Sequence, residues 1–268
     1  MKPADIICRG LDALRARKPM VHHITNSVVM NFTANVTLCL GAAPVMAPCI
    51  DESLEMVRYA GALLLNIGTL DPVLVESMLA AGRAANENGI PVVFDPVGAG
   101  ATALRTGSAL RIADELHISI LRGNAGEVLA LAGHDGKVRG VDSMDSVGER
   151  EELISRFAGD RGLVVAVTGA TDIVTDGRST AVIENGHPLM GRVTGTGCAA
   201  TTSAACFAAV MDDMFEAAFT GIAAMGIAGE IAAEKAGGPG TFVPLFLDGL
   251  AGLDEGTIRE RIRASVNG

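Results

Sequence analysis

The feature that most constrains the fold is a series of short runs that are apolar almost throughout, each separated from the next by a helical pattern. Strands buried on both faces of a parallel sheet have this composition, whereas half-exposed strands alternate apolar and polar residues. Strands that alternate with helices favour an α/β fold. We therefore predict a mostly parallel sheet with helices on both faces, built on strands at residues 43–47, 62–67, 90–94, 118–121 and 163–168.

A hairpin late in the chain predicts an antiparallel edge on this sheet. Residues 172–175 and 180–184 are two short strands separated by Asp176-Gly177, a turn signal of β-hairpins. A closed (β/α)₈ barrel is the alternative, but the hairpin and a C-terminus predicted to contain only helices argue against it. Because the 268 residues contain no linker or repeat, residues 1–268 are predicted to form one three-layer α/β domain.

The charge pattern argues against nucleic acid and membrane as partners. The net charge is −10, and Lys and Arg are scattered without a basic patch. No apolar run is expected to reach the roughly eighteen residues that span a bilayer, and the charged N-terminal segment is not typical of a signal peptide. Five cysteines without metal-binding spacing favour reduced thiols and a cytoplasmic location.

The segment V-T-G-T-G-C, residues 193–198, predicts an anion site. Gly195 and Gly197 flank Thr196, and a helix of small residues begins at this turn. The first backbone N–H groups of a helix lack internal partners, and the helix dipole favours negative charge there. We therefore expect a transferring phosphate at this turn, with Cys198 beside the reacting atom. The alternative is that Cys198 is merely a small buried residue.

Polar side chains follow three predicted strands. Asp95 comes after the strand at 90–94, Arg122 and Glu127 follow the one at 118–121, and Thr168 ends the one at 163–168. Ligands of open α/β sheets bind beyond the carboxyl ends of the strands. Asp95 and Glu127 are candidate carboxylates for Mg²⁺ held largely through water, and Arg122 could contact a phosphate.

Each of these residues also has a structural interpretation, which the sequence leaves open. Asp95 could be a turn residue before Pro96. Glu127 could be a first-turn residue favoured by the helix dipole, and Arg122 could form a surface ion pair.

Two histidines and a methionine are weaker candidates. His22 and His23 are adjacent on a strand and point to opposite faces, so they are expected to be core histidines rather than ligands of one metal. Met46 ends an apolar strand, where a small heterocyclic substrate could pack, although most methionines are core residues.

Six short motifs are distributed along the chain. They are H-I-T-N (23–26), A-P-V-M (43–46), D-P-V-G-A-G (95–100), R-G-N-A-G-E (122–127), V-T-G (167–169) and G-T-G-C (195–198). Together they resemble those of the hydroxyethylthiazole kinases, a family of the ribokinase-like superfamily, and the resemblance covers essentially the whole chain. The superfamily usually has Asp at the position of Cys198, whereas the thiazole kinases are similar to this chain in having Cys.

The resemblance implies a ribokinase-like fold and ATP-dependent phosphorylation of the hydroxyl of 4-methyl-5-(2-hydroxyethyl)thiazole in thiamin salvage. It also implies Mg²⁺ as cofactor and a homotrimer with active sites between subunits. For the site, the resemblance implies that Asp95 and Glu127 bind Mg²⁺ and that Cys198 is the catalytic residue. It implies that Arg122, Thr168 and Gly197 contact ATP. It also implies that Met46, Gly195 and Asn26 contact the thiazole.

In this interpretation Cys198 accepts the proton of the substrate hydroxyl, and the helix N-terminus is expected to lower the pKa of its thiol. Three alternatives remain open. The chain could phosphorylate another heterocyclic alcohol such as hydroxymethylpyrimidine. It could be a cysteine-nucleophile hydrolase, with His187 as the nearest histidine in sequence, or a binding protein without catalysis.

Overall fold

The structure, a computed structural model, describes residues 2–133 and 147–267. Its strands within these residues are β1 Met20–Ile24, β2 Ala43–Met46, β3 Ala62–Asn66, β4 Val92–Asp95, β5 Ile120–Asn124, β6 Val164–Thr168, β7 Asp172–Thr175, β8 Thr180–Ile183 and β9 Ala264–Asn267. They form one sheet in the order β2-β1-β3-β4-β5-β6-β7-β8-β9.

The sheet is parallel from β2 to β6 and antiparallel from β6 to β9. The predicted hairpin is confirmed as β7 and β8. The expectation of a C-terminus with helices only is wrong, because β9 pairs with β8 and adds a further antiparallel strand. Its four residues, A-S-V-N, are too few for their periodicity to indicate a strand.

Helices cover both faces of the sheet, which confirms the three-layer α/β architecture. The helices are α1 Pro3–Arg17, α2 Met30–Leu40, α3 Ile50–Met56, α4 Pro72–Glu87, α5 Ala103–Glu115, α6 Ala125–Ala132, α7 Val147–Arg161, α8 Thr196–Ala208, α9 Met214–Lys235, α10 Pro239–Ala251 and α11 Glu255–Arg261. The start of the helix predicted at 143–157 lies outside the described residues. One buried core joins the sheet to α1, α2 and α8–α11, and a second joins it to α4–α7.

Helix α9 corrects the expectation that no apolar segment is long enough to span a bilayer. Among the described residues, this helix of 22 residues, with a mean hydropathy of 1.3, is long and apolar enough to cross a membrane. However, 78% of its apolar window is buried against the rest of the protein. At Gly221 it approaches α8 so closely that a Cβ atom would lie 2.6 Å from the backbone nitrogen of Ala204. These are the properties of a core helix.

Strand β5 extends further than its apolar run predicts. Its pairing with β6 continues through Gly123↔Val167 to Asn124↔Thr168. Arg122 therefore lies within the strand rather than in the loop after it, because pairing with β6 compensates for the polarity of R-G-N. The side chain of Arg122 consequently starts inside the sheet layer.

His22 and His23 are core histidines, as predicted, and both are fully buried in β1. The Thr37 hydroxyl donates to the Thr33 carbonyl at 2.9 Å, so it accepts the 3.3 Å bond from His23 Nε2. His23 Nδ1 has no partner among the described residues. Burial lowers the pKa of His23 to about 3, because a proton on Nδ1 would add an unpaired buried charge.

We expect this histidine to make the protein acid-labile. The unfolded histidine titrates near pH 6.5, so its contribution to stability is complete above that pH and is lost as the pH falls towards 3. The free energy of unfolding should fall by roughly 2–3 kcal/mol between about pH 6.5 and pH 4.5 relative to a His23→Leu variant. Urea denaturation across this range measures the difference. The exposed His117→Leu serves as control, and parallel curves for wild type and His23→Leu would contradict the prediction.

Candidate active site

Two adjoining cavities lie where the parallel strands end and α8 begins. The larger has a volume of about 540 Å³ and the smaller about 380 Å³. Arg122, Asn124 and Gly197 line both cavities. The carboxyl ends of neighbouring parallel strands therefore meet at one site, as expected for an open α/β sheet.

Most of the side chains singled out in the sequence are brought together here. Met46 is the exception: it lies half-buried at the end of the edge strand β2 and lines neither cavity. Thr168 lines the larger cavity. The smaller cavity is lined by Asn26, Asp95, Glu127, Gly195 and Cys198, together with the shared Arg122 and Gly197.

The turn before α8 depends on Gly195. This residue caps the helix with φ +90°, in the left-handed region that favours glycine. A Cβ atom at this position would lie 2.9 Å from Val29 Cγ1. No side chain caps the helix within the described residues, so its first N–H groups face the cavities and can bind an anion.

Arg122 supplies a buried positive charge between the two cavities. It is only 8% exposed, and its guanidinium donates a hydrogen bond to the Thr168 hydroxyl. Nη1 lies 3.8 Å from Asp95 Oδ2. Gly197 makes room for it, since a Cβ atom there would be 2.8 Å from Nη1. The surface ion pair considered for Arg122 is therefore wrong.

Asp95 is fully buried at the end of β4. Its Oδ2 accepts hydrogen bonds from the Thr201 hydroxyl at 2.7 Å and from Asn66 Nδ2 at 2.8 Å. Burial raises the pKa of Asp95 to about 6, although the nearby Arg122 charge acts in the opposite direction. The Oδ1 atom has no partner among the described residues, which leaves an acceptor without a protein donor.

Glu127 is the third residue of α6 and helps to cap the start of this helix. Its Oε2 accepts the Asn124 N–H at 2.8 Å, and Asn124 Oδ1 accepts the Glu127 N–H at 2.9 Å, a reciprocal capping box. Its Oε1 accepts the Gly98 N–H at 2.8 Å. Each carboxylate oxygen keeps a second lone pair, so a role at a metal is compatible with the cap.

The acidic residues fit a magnesium ion better than a protein-enclosed metal. Mg²⁺ retains several waters and uses one or two carboxylates plus substrate phosphates. Asp95 Oδ1 is a buried oxygen without a protein donor, and Glu127 lines the same cavity. Groups of three or more His, Cys, Asp or Glu suited to enclosing a metal do not occur in the described parts of the chain.

The sulfur of Cys198 lies among amide groups. Asn66 Nδ2 is 3.2 Å and Asn26 Nδ2 is 3.6 Å from Sγ. Burial and the Asp95 charge raise the pKa of the Cys198 thiol to about 11. The expected lowering of this pKa is therefore wrong, because desolvation and a nearby carboxylate outweigh the amide donors and the Arg122 charge.

Asn66 is a residue of the site that the sequence-based predictions did not include, although its position in the sequence is informative. It is the last residue of β3 and the single polar residue in the run A-L-L-L-N. It is fully buried and contacts both Asp95 and Cys198. A polar residue that interrupts a buried run close to a strand end is costly unless its hydrogen bonds are made, so its presence there pointed to the site.

The geometry does not favour thioester chemistry at Cys198. His187 lines the larger cavity, whereas Cys198 lines the smaller one. Among the described residues, the side-chain hydrogen-bond partners of the sulfur are the amides of Asn26 and Asn66 rather than an imidazole. The site combines a buried cation, an unpaired carboxylate oxygen and a free helix N-terminus, which suits transfer of an anionic group.

Comparison with known proteins assigns the family. A model of the hydroxyethylthiazole kinase family matches residues 11–256. The chain is 53% identical over 262 residues to the hydroxyethylthiazole kinase of Rubrobacter xylanophilus, covering 97% of each protein. The solved structure of hydroxyethylthiazole kinase from Pyrococcus horikoshii is 43% identical, with a TM-score of 0.91, and the match covers 98% of this chain and 100% of that one.

A more distant similarity concerns the fold alone. A ribokinase-like superfamily protein from Enterococcus faecalis is 12% identical, with a TM-score of 0.62 over 90% of this chain and 93% of that chain. This similarity confirms the ribokinase-like fold, and the close relatives do not favour the hydrolase alternative. The chain belongs to the hydroxyethylthiazole kinase family.

Proposed function

We propose that this protein transfers the γ-phosphoryl group of ATP to the hydroxyl of 4-methyl-5-(2-hydroxyethyl)thiazole. The observation that carries the proposal is the pair of cavities that adjoin at Arg122, Gly197 and the start of α8. A donor in one cavity and an acceptor in the other would meet at the N–H groups that can stabilise the transferring phosphoryl oxygens.

In this proposal ATP binds in the larger cavity. Ile222 and Met225 supply an apolar wall for the base, while Arg122 and Thr168 face the phosphates from the opposite side. An adenosine nucleotide fits a cavity of about 540 Å³, which is within the usual size range of small-molecule sites.

The thiazole alcohol binds in the smaller cavity, with Asn26 and Gly195 beside the ring and Cys198 beside the hydroxyl. A second subunit would complete the site. Because Met46 lines neither cavity of its own chain, it would reach the ring in the site of a neighbouring subunit, from the β2 edge. Most of the catalytic effect comes from positioning and charge stabilisation, because the phosphoryl transition state is loose.

Asp95 and Glu127 would hold Mg²⁺, which neutralises phosphate charge when it is bound. Arg122 and the N–H groups of Gly197 and Cys198 stabilise charge that develops on the phosphoryl oxygens. The Cys198 sulfur orients the substrate hydroxyl and accepts its proton late in the transfer.

The direct test is ADP release from ATP and Mg²⁺ with a panel of alcohols. We expect the highest kcat/KM with the thiazole alcohol and lower values with hydroxymethylpyrimidine and sugar alcohols. A preference for the pyrimidine would favour the other kinase. Thiazole binding without ADP release would indicate a binding protein.

Replacement of Glu127 is expected to alter the response to Mg²⁺. In Glu127→Gln the neutral amide weakens metal binding, so the Mg²⁺ concentration for half-maximal rate should rise by about 10-fold, the lower limit for disturbed metal ligation. The apparent KM for the thiazole alcohol should change by less than about 2-fold. Glu216→Gln, another first-turn glutamate, is the matched control. An unchanged Mg²⁺ titration would remove Glu127 from the metal site.

We also propose the homotrimer, with apolar side chains beside the β2 edge as its contact surface. Tyr59 and Val28 are 72% and 64% exposed, and Leu38 is 58% exposed. Such exposure of large apolar groups is typical of interfaces. Leu38→Asp should shift the protein towards monomer in sedimentation velocity, because a carboxylate would be buried at the contact. Leu104→Asp, on α5 and 61% exposed, is the control, and a Leu38→Asp trimer would refute this surface.

Two further proposals concern the chain as a whole. Residues 1–268 form one domain, which agrees with a single sheet whose strands come from residues 20 to 267 of the chain. The protein acts in the cytoplasm, which agrees with five cysteines that are all free.

A further inference from the structure

We propose that Asn66 is a positioning residue for the transfer reaction, because it fixes the sulfur of Cys198 relative to the carboxylate of Asp95. The proposal rests on the function proposed above, and it assigns a role to a strand residue outside the motifs of the family resemblance. Four observations support it: the direction of the Asn66 amide, the second amide that reinforces it, the completeness of its hydrogen bonds, and the glycine that leaves room for both amides.

The direction of the Asn66 amide is determined by a backbone group. Its Oδ1 accepts the Gly68 N–H at 2.9 Å. Since a backbone N–H can only donate, the oxygen and nitrogen of this amide are assigned unambiguously. Nδ2 then faces the other way, 2.8 Å from Asp95 Oδ2 and 3.2 Å from Cys198 Sγ.

Asn26, in the loop after β1, repeats this arrangement. Its Oδ1 accepts the Val28 N–H at 3.1 Å, which directs its Nδ2 to Asn66 Oδ1 at 2.8 Å and to Cys198 Sγ at 3.6 Å. Two amides therefore present N–H groups to one sulfur. The second bond polarises the first, because amides in a chain strengthen one another. The sulfur is held as an acceptor, with its own proton directed elsewhere.

Asn66 uses its full hydrogen-bonding capacity. Its oxygen accepts from Asn26 and Gly68, and its nitrogen donates to Asp95 and Cys198. The side chain is fully buried, so any movement would leave polar groups unpaired, at a cost of about 1–3 kcal/mol each.

The loop after β3 is adapted to this arrangement. A Cβ atom at Gly68 would lie 2.6 Å from Asn26 Nδ2. The missing side chain therefore lets the Gly68 N–H reach Asn66 Oδ1 while Asn26 stays against the sulfur. We infer that Asn26, Asn66 and Gly68 form one unit that sets the position of the Cys198 sulfur.

A double-mutant cycle tests whether Asn66 acts through Cys198. Asn66→Ala should lower kcat by about 30-fold and change KM for the thiazole alcohol by less than about 3-fold, as expected for lost orientation rather than lost binding. In the Cys198→Ala background the same substitution should lower kcat by no more than about 5-fold, because coupled residues are not additive. Equal factors in both backgrounds would overturn the proposal.

Folding controls keep this test interpretable. Asn86→Ala removes an amide that makes two bonds to His117 far from the site, and it should leave kcat unchanged. Circular dichroism and thermal denaturation establish that each variant is folded. If Asn66→Ala does not fold, the isosteric Asn66→Asp replaces it in the cycle with the same expected pattern.

A second measurement does not depend on catalysis. In Asn66→Asp the sulfur loses an N–H donor and gains a nearby negative charge without added space. Alkylation of Cys198 by iodoacetamide, measured by mass spectrometry against the exposed Cys49 of the same chain, should slow by about 10-fold, because less thiolate forms. An unchanged ratio would overturn the proposal. If the wild type releases no ADP with any alcohol, the proposed function fails. The ratio of Cys198 to Cys49 alkylation still tests whether Asn66 contacts and orients the sulfur.

Discussion

Cys198→Ala is expected to lower kcat by about 10²–10⁴-fold, the usual contribution of a general base, whereas Cys198→Asp retains substantial activity. Alanine removes the atom that holds the substrate hydroxyl. A carboxylate restores an acceptor in the same place, and the amides of Asn26 and Asn66 can donate to its oxygens as they do to sulfur. Steady-state ADP release with saturating thiazole alcohol measures both variants.

The raised thiol pKa makes this comparison informative. With a pKa of about 11, Cys198 is almost entirely a neutral thiol at pH 7. A neutral thiol has no site for a further proton, so Cys198 can accept the proton of the substrate hydroxyl only in its minor thiolate form. A carboxylate is ionised at that pH and is available as a base without this restriction. Cys206→Ala is the control, since this thiol lies in the same helix and is fully buried away from the cavities. A Cys198→Ala variant with normal kcat would exclude the base role.

Arg122→Met is expected to lower kcat/KM for ATP by about 10²–10³-fold, the effect of losing one preorganised electrostatic group. The variant removes the buried cation that lines both cavities and contacts Thr168. It also leaves the Asp95 carboxylate without its opposite charge. Arg178→Met, an exposed arginine of the β7–β8 hairpin, is the control, and near-normal kcat/KM in Arg122→Met would contradict the assignment.

Measurements of stability separate the role of Arg122 in the reaction from its role as the opposite charge of Asp95. Loss of the cation raises the pKa of Asp95 further above its ordinary value, so the folded variant favours the protonated carboxyl. Its loss of stability should therefore be large at pH 8 and smaller at pH 5. The double variant Arg122→Met/Asp95→Asn should recover stability at pH 8 without recovering activity. Thermal denaturation at both values measures this, and recovery of both properties would contradict a catalytic role.

Much of the fold could be predicted because its signals are local. The apolar runs and the Asp176-Gly177 turn predict the sheet and its hairpin, which the structure confirms. Errors occur where pairing overrides composition. Strand β5 continues through Arg122 to Asn124 because β6 pairs with it, and β9 forms because the edge of β8 accepts it.

For the candidate site, the set of residues was predictable but the environment of each residue was not. Strand ends and the G-T-G-C turn indicate which residues approach one another, because parallel strands deliver their carboxyl ends to one edge. Their environments were not predictable. The spacing Asn124-x-x-Glu127 is that of a capping box, but no spacing encodes the 8% exposure of Arg122 or the place of Met46 outside both cavities.

The turn around Cys198 combines local and tertiary properties. The α/β layers, the family and the position of Cys198 at a helix start follow from residues that are close together in the chain. The raised pKa of the thiol and the contact of Asn66 with the sulfur follow only from tertiary packing. Asn66 and Cys198 are 132 positions apart, and burial and hydrogen-bond direction arise only when such distant segments pack together.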